Sequence, residues 1–348
     1  MQPGIYNKKN FMSFEELLDR KILSLDKGVL SSNIYDEDAV FNVTKEEYEK
    51  IVKTLEKLGV SVPYEYADIF NPDLYEEIDE FFSANFSTNF LQGTLVLPES
   101  VKVLDEHVFY SLVNLEEVVL PQSLEIIKPS AFACSTNLKK VNIPENIKVI
   151  PKSCFYKCER LEEITLPENL EIIEAAAFFE CLSLKNIKLP KSLKELGISS
   201  FRGCKTLESI NLTENMQEIP QYCFSHCYQL KSVNFGNSIK EIQELAFYFC
   251  ERLEDVILPK SLTSIRRCAF FNTGIEELEL PASVKKIGTD AFEECKNLKV
   301  IYAYKNDELV IKCQRTKEKI KYLNTIENML DSGRTFKQIN QIYKELGR

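Results

Sequence analysis

The sequence predicts an α/β repeat solenoid of about nine stacked units, built from short parallel strands and turns and flanked by helical segments. Three observations predict it: a motif recurring about every 23 residues, apolar residues at fixed positions in each copy, and charges that change sign between copies. No single unit of this size can bury its own apolar face. The units are therefore expected to stack.

The repeat is defined by its first residue. The step between copies is 23 residues seven times and then 22, with copies starting at Leu97, Leu120, Ile143, Leu166, Leu189, Leu212, Phe235, Leu258 and Leu280. Pro follows in most copies, and it indicates the end of a strand because it has no N–H to donate to a ladder. Each copy also contains a Phe, at Phe109, Phe132, Phe155, Phe178, Phe201, Phe224, Phe247, Phe270 and Phe292.

Two columns of charged residues support in-register stacking. One runs Glu116, Lys139, Glu162, Lys185, Glu208, Lys231, Glu254, Glu276, Lys299, and the other Lys102, Glu125, Lys148, Glu171, Lys194. Opposite charges on neighbouring strands stabilise a sheet by roughly 0.2–1 kcal/mol, and like charges destabilise it. These side chains are therefore assigned to the ladder rather than to a ligand.

The repeated pattern L-x-x-I-x-L-P-x-S/N-L-x-x-I-x-x-x-A/C-F-x-x-C-x-x-L resembles the BspA-type leucine-rich repeat, over about residues 97–302. The resemblance implies a leucine-rich-repeat-like solenoid used for protein binding, often in surface adhesins of bacteria and protists. It implies no catalytic residues.

The chain contains 11 Cys, and six of them lie three residues after the repeat Phe, namely Cys158, Cys181, Cys204, Cys227, Cys250 and Cys295. Leu112 and Ser135 take this position in other copies, which favours a small buried side chain over a reactive thiolate. Redox chemistry and metal binding are the alternatives. A structural zinc site needs four ligands, and the chain has only two His. No cofactor or metal is expected.

Composition narrows the function classes. The net charge of -10 argues against broad nucleic-acid binding. No G-x-S-x-G, Gly-rich phosphate loop or H-E-x-x-H motif occurs, so an enzyme is not expected. The sequence has no long apolar run of the kind that would indicate a signal peptide or a membrane-inserted helix. The expected location is the cytoplasm, with the cell surface or secretion as the alternative.

Three domains are predicted: a helical N-terminal region over 1–90, the solenoid over 91–304 and a helical C-terminal segment over 305–348. N-terminal helices are expected at about 13–23, 45–58 and 72–84, and C-terminal helices at about 313–348.

The two flanking regions differ in charge. Residues 1–90 carry 9 basic and 18 acidic side chains, and residues 305–348 carry 10 basic and 6 acidic ones. The first region is either a cap, with Phe81, Phe82, Phe86 and Phe90 covering the open end of the solenoid, or an independent acidic interaction domain. The basic tail leaves a nucleic-acid-linked regulator as a further alternative.

Two candidate binding surfaces follow from the repeat. The first is made of aromatic residues directly after the repeat Phe: Tyr110, Tyr156, Phe179, Tyr248 and Phe271. The second is a polar row expected on the inner strand face, including Glu117, Lys140, Glu163, Asn186, Asp255 and Tyr302. Turn packing is the alternative for the first and simple solvation for the second. The predicted function is a non-enzymatic protein-interaction scaffold, with a surface adhesin or exported host-interacting effector as the alternative.

Overall fold

The computed structural model describes residues 23–32, 93–305 and 308–312. Residues 93–305 form a β-solenoid of about nine turns. A turn consists of a strand in a first ladder, a corner, a strand in a second ladder, and a return segment that carries the repeat Phe; the turn containing residues 186–188 lacks the first strand.

Strands of two to six residues account for the regular secondary structure of the described residues. In chain order they are β1 (Leu23–Asp26), β2 (Val29–Ser32), β3 (Gly93–Val96), β4 (Val103–Leu104), β5 (Leu115–Val119), β6 (Ile126–Ile127), β7 (Lys140–Asn142), β8 (Val149–Ile150), β9 (Glu163–Thr165), β10 (Ile172–Ile173), β11 (Glu195–Leu196), β12 (Ser209–Asn211), β13 (Glu218–Ile219), β14 (Ser232–Asn234), β15 (Glu241–Ile242), β16 (Asp255–Ile257), β17 (Ser264–Ile265), β18 (Glu277–Leu280), β19 (Lys286–Ile287), β20 (Val300–Lys305) and β21 (Glu308–Lys312).

The two ladders are parallel and in register, one repeat apart. In the first, Val141 of β7 lies opposite Ile164 of β9. In the second, Ile173 of β10 lies opposite Leu196 of β11. Each ladder is divided into three sheets, and residues 186–188 interrupt the first ladder between β9 and β12. Because side chains alternate between strand faces, the middle residue of each three-residue strand of the first ladder points into the core.

The corner between the ladders is a turn that starts at the repeat Pro. The N–H three residues after each Pro donates to its carbonyl, as in Leu124 to Pro121 at 3.1 Å and Leu170 to Pro167 at 3.2 Å. The residues that donate these bonds, Leu124 and Leu170, are fully buried. The Pro therefore both ends one strand and aims the following Leu inward.

The return segment contains no helix. In every turn the residues two before and two after the repeat Phe have positive φ, and apart from Gly203 they are not glycines, with φ of 52–61°. A residue in this left-handed region interrupts an α-helix and costs roughly 1 kcal/mol.

Hydrogen bonds between successive turns account for this conformation. Phe109 N donates to Ala131 O at 2.7 Å and Ser111 N to Ala133 O at 2.8 Å, whereas Tyr110 N bonds within its own turn to His107 O at 2.9 Å. The same alternation recurs along the described solenoid, and three bonds of this kind cross each junction between adjacent return segments. The return segments thus form a third ladder.

The core is a continuous stack of the repeat Phe rings. Neighbouring rings lie 5.2–5.6 Å apart from Phe109 to Phe292. The first eight of the nine are fully buried, and Phe292 is 6% exposed. In-register stacking is therefore confirmed. The charge columns also form ion pairs, including Lys139 with Glu116 at 2.9 Å and Lys102 with Glu125 at 3.3 Å.

Each end of the solenoid extends one ladder with an antiparallel strand. The β1–β2 hairpin joins the second ladder through β2, and its Leu30 is fully buried in line with Leu104. At the other end, β21 pairs with β20 of the first ladder. These strands extend the solenoid where the described flanks meet it.

The predicted α/β class is wrong. The described residues contain no helix, and the described parts of both flanks are strands. The 23-residue period was correct, but the return segment bonds to neighbouring turns instead of to itself. The helices predicted at 45–58, 72–84 and 313–348, and the Phe81–Phe90 cap, lie outside the described residues, as does the helix at 13–23 apart from Leu23, which begins β1. The three domain boundaries remain predictions.

Adjacent Phe residues test the core assignment. Phe178 is fully buried between Phe155 at 5.4 Å and Phe201 at 5.2 Å, while its neighbour Phe179 is half-buried. We expect Phe178→Ala to lower the free energy of unfolding by about 3–5 kcal/mol. Phe179→Ala should lower it by about 1 kcal/mol because less apolar area is lost. Guanidinium denaturation followed by circular dichroism measures both, and equal losses would contradict the assignment.

Candidate functional site

The predicted aromatic residues lie on the outer side of the return segments. Tyr156, Phe179, Tyr248 and Phe271 each follow a core Phe, and each is half-buried. Since the core Phe points inward, the residue after it points outward. These aromatics therefore occupy one side of the solenoid, which we call the turn surface.

The N-terminal part of the turn surface is a stack that ends in a cation. The rings of Tyr156 and Phe179 are 4.9 Å apart and nearly parallel, at 14°. The Arg202 guanidinium lies 5.6 Å from the centroid of Phe179 and 4.9 Å from that of Tyr222. Such cation–π contacts contribute about 0.5–1 kcal/mol at exposed sites and fix the plane of the guanidinium.

The C-terminal part is a denser cluster of rings. Tyr248 and Phe271 are stacked at 5.1 Å, and Phe249 lies 5.8 Å from Phe271. His226 stacks on Phe249 at 5.5 Å and meets Tyr248 edge-on at 5.6 Å. The cluster therefore continues the surface across three further turns.

His226 lies on the turn between those of Arg202 and Tyr248. The Ser225 hydroxyl and His226 Nδ1 are 2.7 Å apart, within hydrogen-bonding distance. Burial lowers the pKa of His226, and the nearby charges of Arg202 and Lys205 lower it further. The imidazole is therefore kept neutral near pH 7, and Arg202 carries the charge at the centre of the turn surface.

Tyr110 does not belong to this cluster. The next turn has Ala133 at the equivalent position, so a turn without a ring separates Tyr110 from Tyr156. Tyr110 instead meets His107 edge-on at 5.5 Å. The structure thus brings together four of the five predicted aromatics in two pairs.

Four residues of the turn surface were missed from the sequence: Arg202, Tyr222, His226 and Phe249. The prediction considered aromatics directly after the repeat Phe, whereas Tyr222 lies two residues before its Phe and His226 and Phe249 lie two after theirs. These are the positive-φ positions. Arg202 directly follows the repeat Phe, as the predicted aromatics do, but it is not aromatic. Only its position in the repeat could have indicated it.

The predicted polar row was expected on the inner strand face, but it lies on the outer, solvent-facing side of the first ladder, because the apolar residue next to each of these positions points into the core. This is a different side of the solenoid from the turn surface. Its charges are partly satisfied within the chain: Lys140 pairs with Glu163 at 3.7 Å, and Thr94 donates to Glu117 at 3.2 Å. Tyr302 donates to Glu277 at 3.4 Å. Asn186 falls in the interrupted stretch, and Asp255 is exposed. Exposed pairs of this kind contribute little free energy.

The Cys column has a structural role beyond filling volume. The Cys158 thiol lies 3.1 Å from Phe132 O of the preceding turn, and Cys181 lies 3.2 Å from Phe155 O, in positions to donate. Ser135 makes the equivalent bond to Phe109 O at 2.6 Å. Burial raises the pKa of Cys158 and Cys181 well above the usual value. These thiols are therefore protonated donors.

The described residues show neither a metal cluster nor a membrane helix. No group of three or more His, Cys, Asp or Glu side chains is placed to hold a metal ion within residues 23–32, 93–305 and 308–312. Across the same ranges there is no helix of a length and hydropathy to cross a membrane.

The fold and its uniform turns define a repeat protein of the β-solenoid class. The family model described as the BspA type Leucine rich repeat region matches residues 79–197 and 171–299, which together exceed half of the chain. The chain belongs to this family, and the resemblance noted from the repeat is confirmed. No curated protein matches the chain.

One solved structure supports the solenoid, and two others show weaker similarity. A leucine-rich repeat protein from Bacteroides ovatus is 26% identical with a TM-score of 0.58, covering 62% of this chain and 61% of its own length. The pneumococcal vaccine antigen PcpA is 24% identical with a TM-score of 0.44, covering 63% and 64%. A leucine-rich repeat protein from Eubacterium ventriosum is 19% identical with a TM-score of 0.46, covering 59% and 65%. The matches thus span less than two thirds of these proteins.

Thiol labelling tests the role of the Cys column. Eight of the ten Cys in the described residues are buried, and only Cys134 and Cys268 are partly accessible. We expect a chromogenic disulfide reagent at pH 8 to label native protein only at Cys134, Cys268 and at most Cys313, which lies outside the described residues; Cys268 should react more slowly, because burial raises its pKa. All 11 should react in guanidinium. Peptide mapping identifies the sites, and rapid native labelling of Cys158 or Cys181 would contradict a packed column.

Proposed function

We propose that the protein is a non-enzymatic scaffold that binds a protein partner through the turn surface. The observation that carries this is a run of half-buried aromatic rings from Tyr156 to Phe271, interrupted by the cation of Arg202. Aromatic and Arg side chains are the residue types most enriched among strong contributors to protein interfaces.

Contacts within the surface favour binding over turn packing alone. The core below is already closed by the Phe stack and by hydrogen bonds between the turns. Stacked rings also lose little side-chain entropy when a partner covers them, because their neighbours already hold them in place. The polar row lacks this property, since its charges are paired or solvated.

Family membership is consistent with the proposal. Leucine-rich repeat proteins of this type are generally non-enzymatic binding scaffolds. The solenoid supplies a rigid, linear array on which adjacent turns present side chains about 5 Å apart.

A role at the cell surface is the second candidate. It is favoured by membership of a family whose members are commonly surface proteins. A cytoplasmic location is the alternative predicted from the sequence. Brief protease treatment of intact cells separates the two, because a surface protein is degraded while a cytoplasmic one is protected.

Affinity capture with matched variants tests the proposed surface. We expect the full chain, immobilised in lysate of its native cell, to retain at least one protein that a Phe179→Ala/Tyr248→Ala variant retains about tenfold less, because two anchors are removed. Quantitative mass spectrometry provides the measurement.

The control for this capture is Lys140→Ala/Glu163→Ala, which removes an ion pair from the polar row. It should retain the same proteins as the unmodified chain. Loss of partners in the control but not in the aromatic variant would move the binding site to the strand face and contradict the proposal.

A further inference from the structure

Arg202 is the distinctive residue of the turn surface. Its guanidinium is held between the rings of Phe179 and Tyr222, at 5.6 and 4.9 Å from their centroids. Among the described residues, no carboxylate pairs with it and no acceptor is hydrogen-bonded to its side chain. A guanidinium has five N–H donors in a planar fork, so these donors remain for a ligand.

The charges around Arg202 favour an anion. The carboxylate on the preceding turn, Glu180, pairs with Lys157 at 3.9 Å. Lys205 is exposed and has no ion-pair partner in the part of the chain that the structure describes. The chain as a whole has a net charge of -10, so a cationic centre here is a local departure.

The geometry favours a carboxylate over a phosphate. Phosphate sites in proteins usually combine several donors, including free backbone N–H groups. Here the backbone N–H groups are already used: Arg202 N donates to Ser199 O at 3.1 Å, and Gly203 N to Ser225 O at 2.8 Å. A single planar fork between two rings matches one carboxylate in a bidentate arrangement.

We propose that the turn surface binds an extended peptide segment of a partner protein in which a central Asp or Glu, flanked on both sides by apolar residues, pairs with Arg202. This rests on the proposed scaffold function and names the partner chemistry. The apolar residues contact the Tyr156–Phe179 stack on one side and the Tyr248–Phe271 cluster on the other.

The spacing of the turns sets the pattern of the segment. Stacked rings on adjacent turns are 4.9–5.1 Å apart, and Arg202 lies two turns from both Tyr156 and Tyr248. Each distance is about 10 Å, which an extended chain covers in about three residues. The partner segment therefore has apolar residues about three positions before and after its acid.

Fluorescence anisotropy with a synthetic probe tests this pattern. The probe is a labelled nine-residue peptide with Glu at its centre, Phe three residues to each side and Ser and Gly elsewhere. We expect the full chain to bind it, and Arg202→Gln to bind it about tenfold more weakly. Affinity should fall as salt rises, because the ion pair is screened. A peptide with Gln in place of Glu should bind both proteins equally.

Two controls make the result specific. Arg252→Gln removes an exposed Arg whose guanidinium donates to Gln229 at 2.8 Å, outside the turn surface, and should bind like the unmodified chain. Thermal melting checks that the variants remain folded. Equal binding of the Glu and Gln peptides, or unchanged binding by Arg202→Gln, overturns the carboxylate pairing, while the scaffold function stands if Phe179→Ala still weakens binding.

The remaining outcomes are also decisive. No binding of either peptide at millimolar protein overturns the inference, while the lysate capture decides the scaffold function separately. Binding of a phosphoserine version, with no binding of the Glu peptide, would replace the carboxylate by a phosphate and overturn it as well.

Discussion

The hydrogen bonds between successive return segments are the constraint on which the rest of this structure depends. Three cross each junction of the described solenoid, and each contributes on the order of 1 kcal/mol net. To make them, every turn holds two residues at positive φ. A helix in the same segment would satisfy its N–H groups internally and leave adjacent turns joined only by their strands.

This ladder also explains the chemistry of the columns. It fixes the turns at the spacing of a β-sheet, which places each Phe ring on the next at 5.2–5.6 Å and each thiol near the carbonyl of the preceding Phe. A Cys at this position is small enough to be buried and can still donate. Because the turns are in register, the outward residues that directly follow each repeat Phe also lie in line along the solenoid. The turn surface is therefore a consequence of the core geometry.

Much of the architecture could be predicted from the sequence, because stacking repeats its requirements in every copy. The Leu-Pro corners, the Phe column and the paired charges of Glu116 and Lys139 are all visible as periodic residues. The helix-free return segment was not visible. Its left-handed positions hold residues as different as Ser153, Leu245 and Phe249, and Gly203 is the only glycine among them. The turn surface was predicted in part, since Tyr156 and Phe179 directly follow the periodic Phe. The position of Tyr222 beside Arg202 could not be predicted, because it depends on a left-handed backbone conformation that many residue types adopt in this chain.

Amide hydrogen exchange tests the ladder of return segments most directly. If the turns are joined as described, the N–H groups of Phe132, Phe155, Phe178 and Phe201, each bonded to the next turn, exchange as slowly as strand amides such as Val141. Peptide-resolved mass spectrometry on the full chain provides the comparison. Exchange of these return segments at the rate of open surface turns, with the strands still protected, would contradict the account.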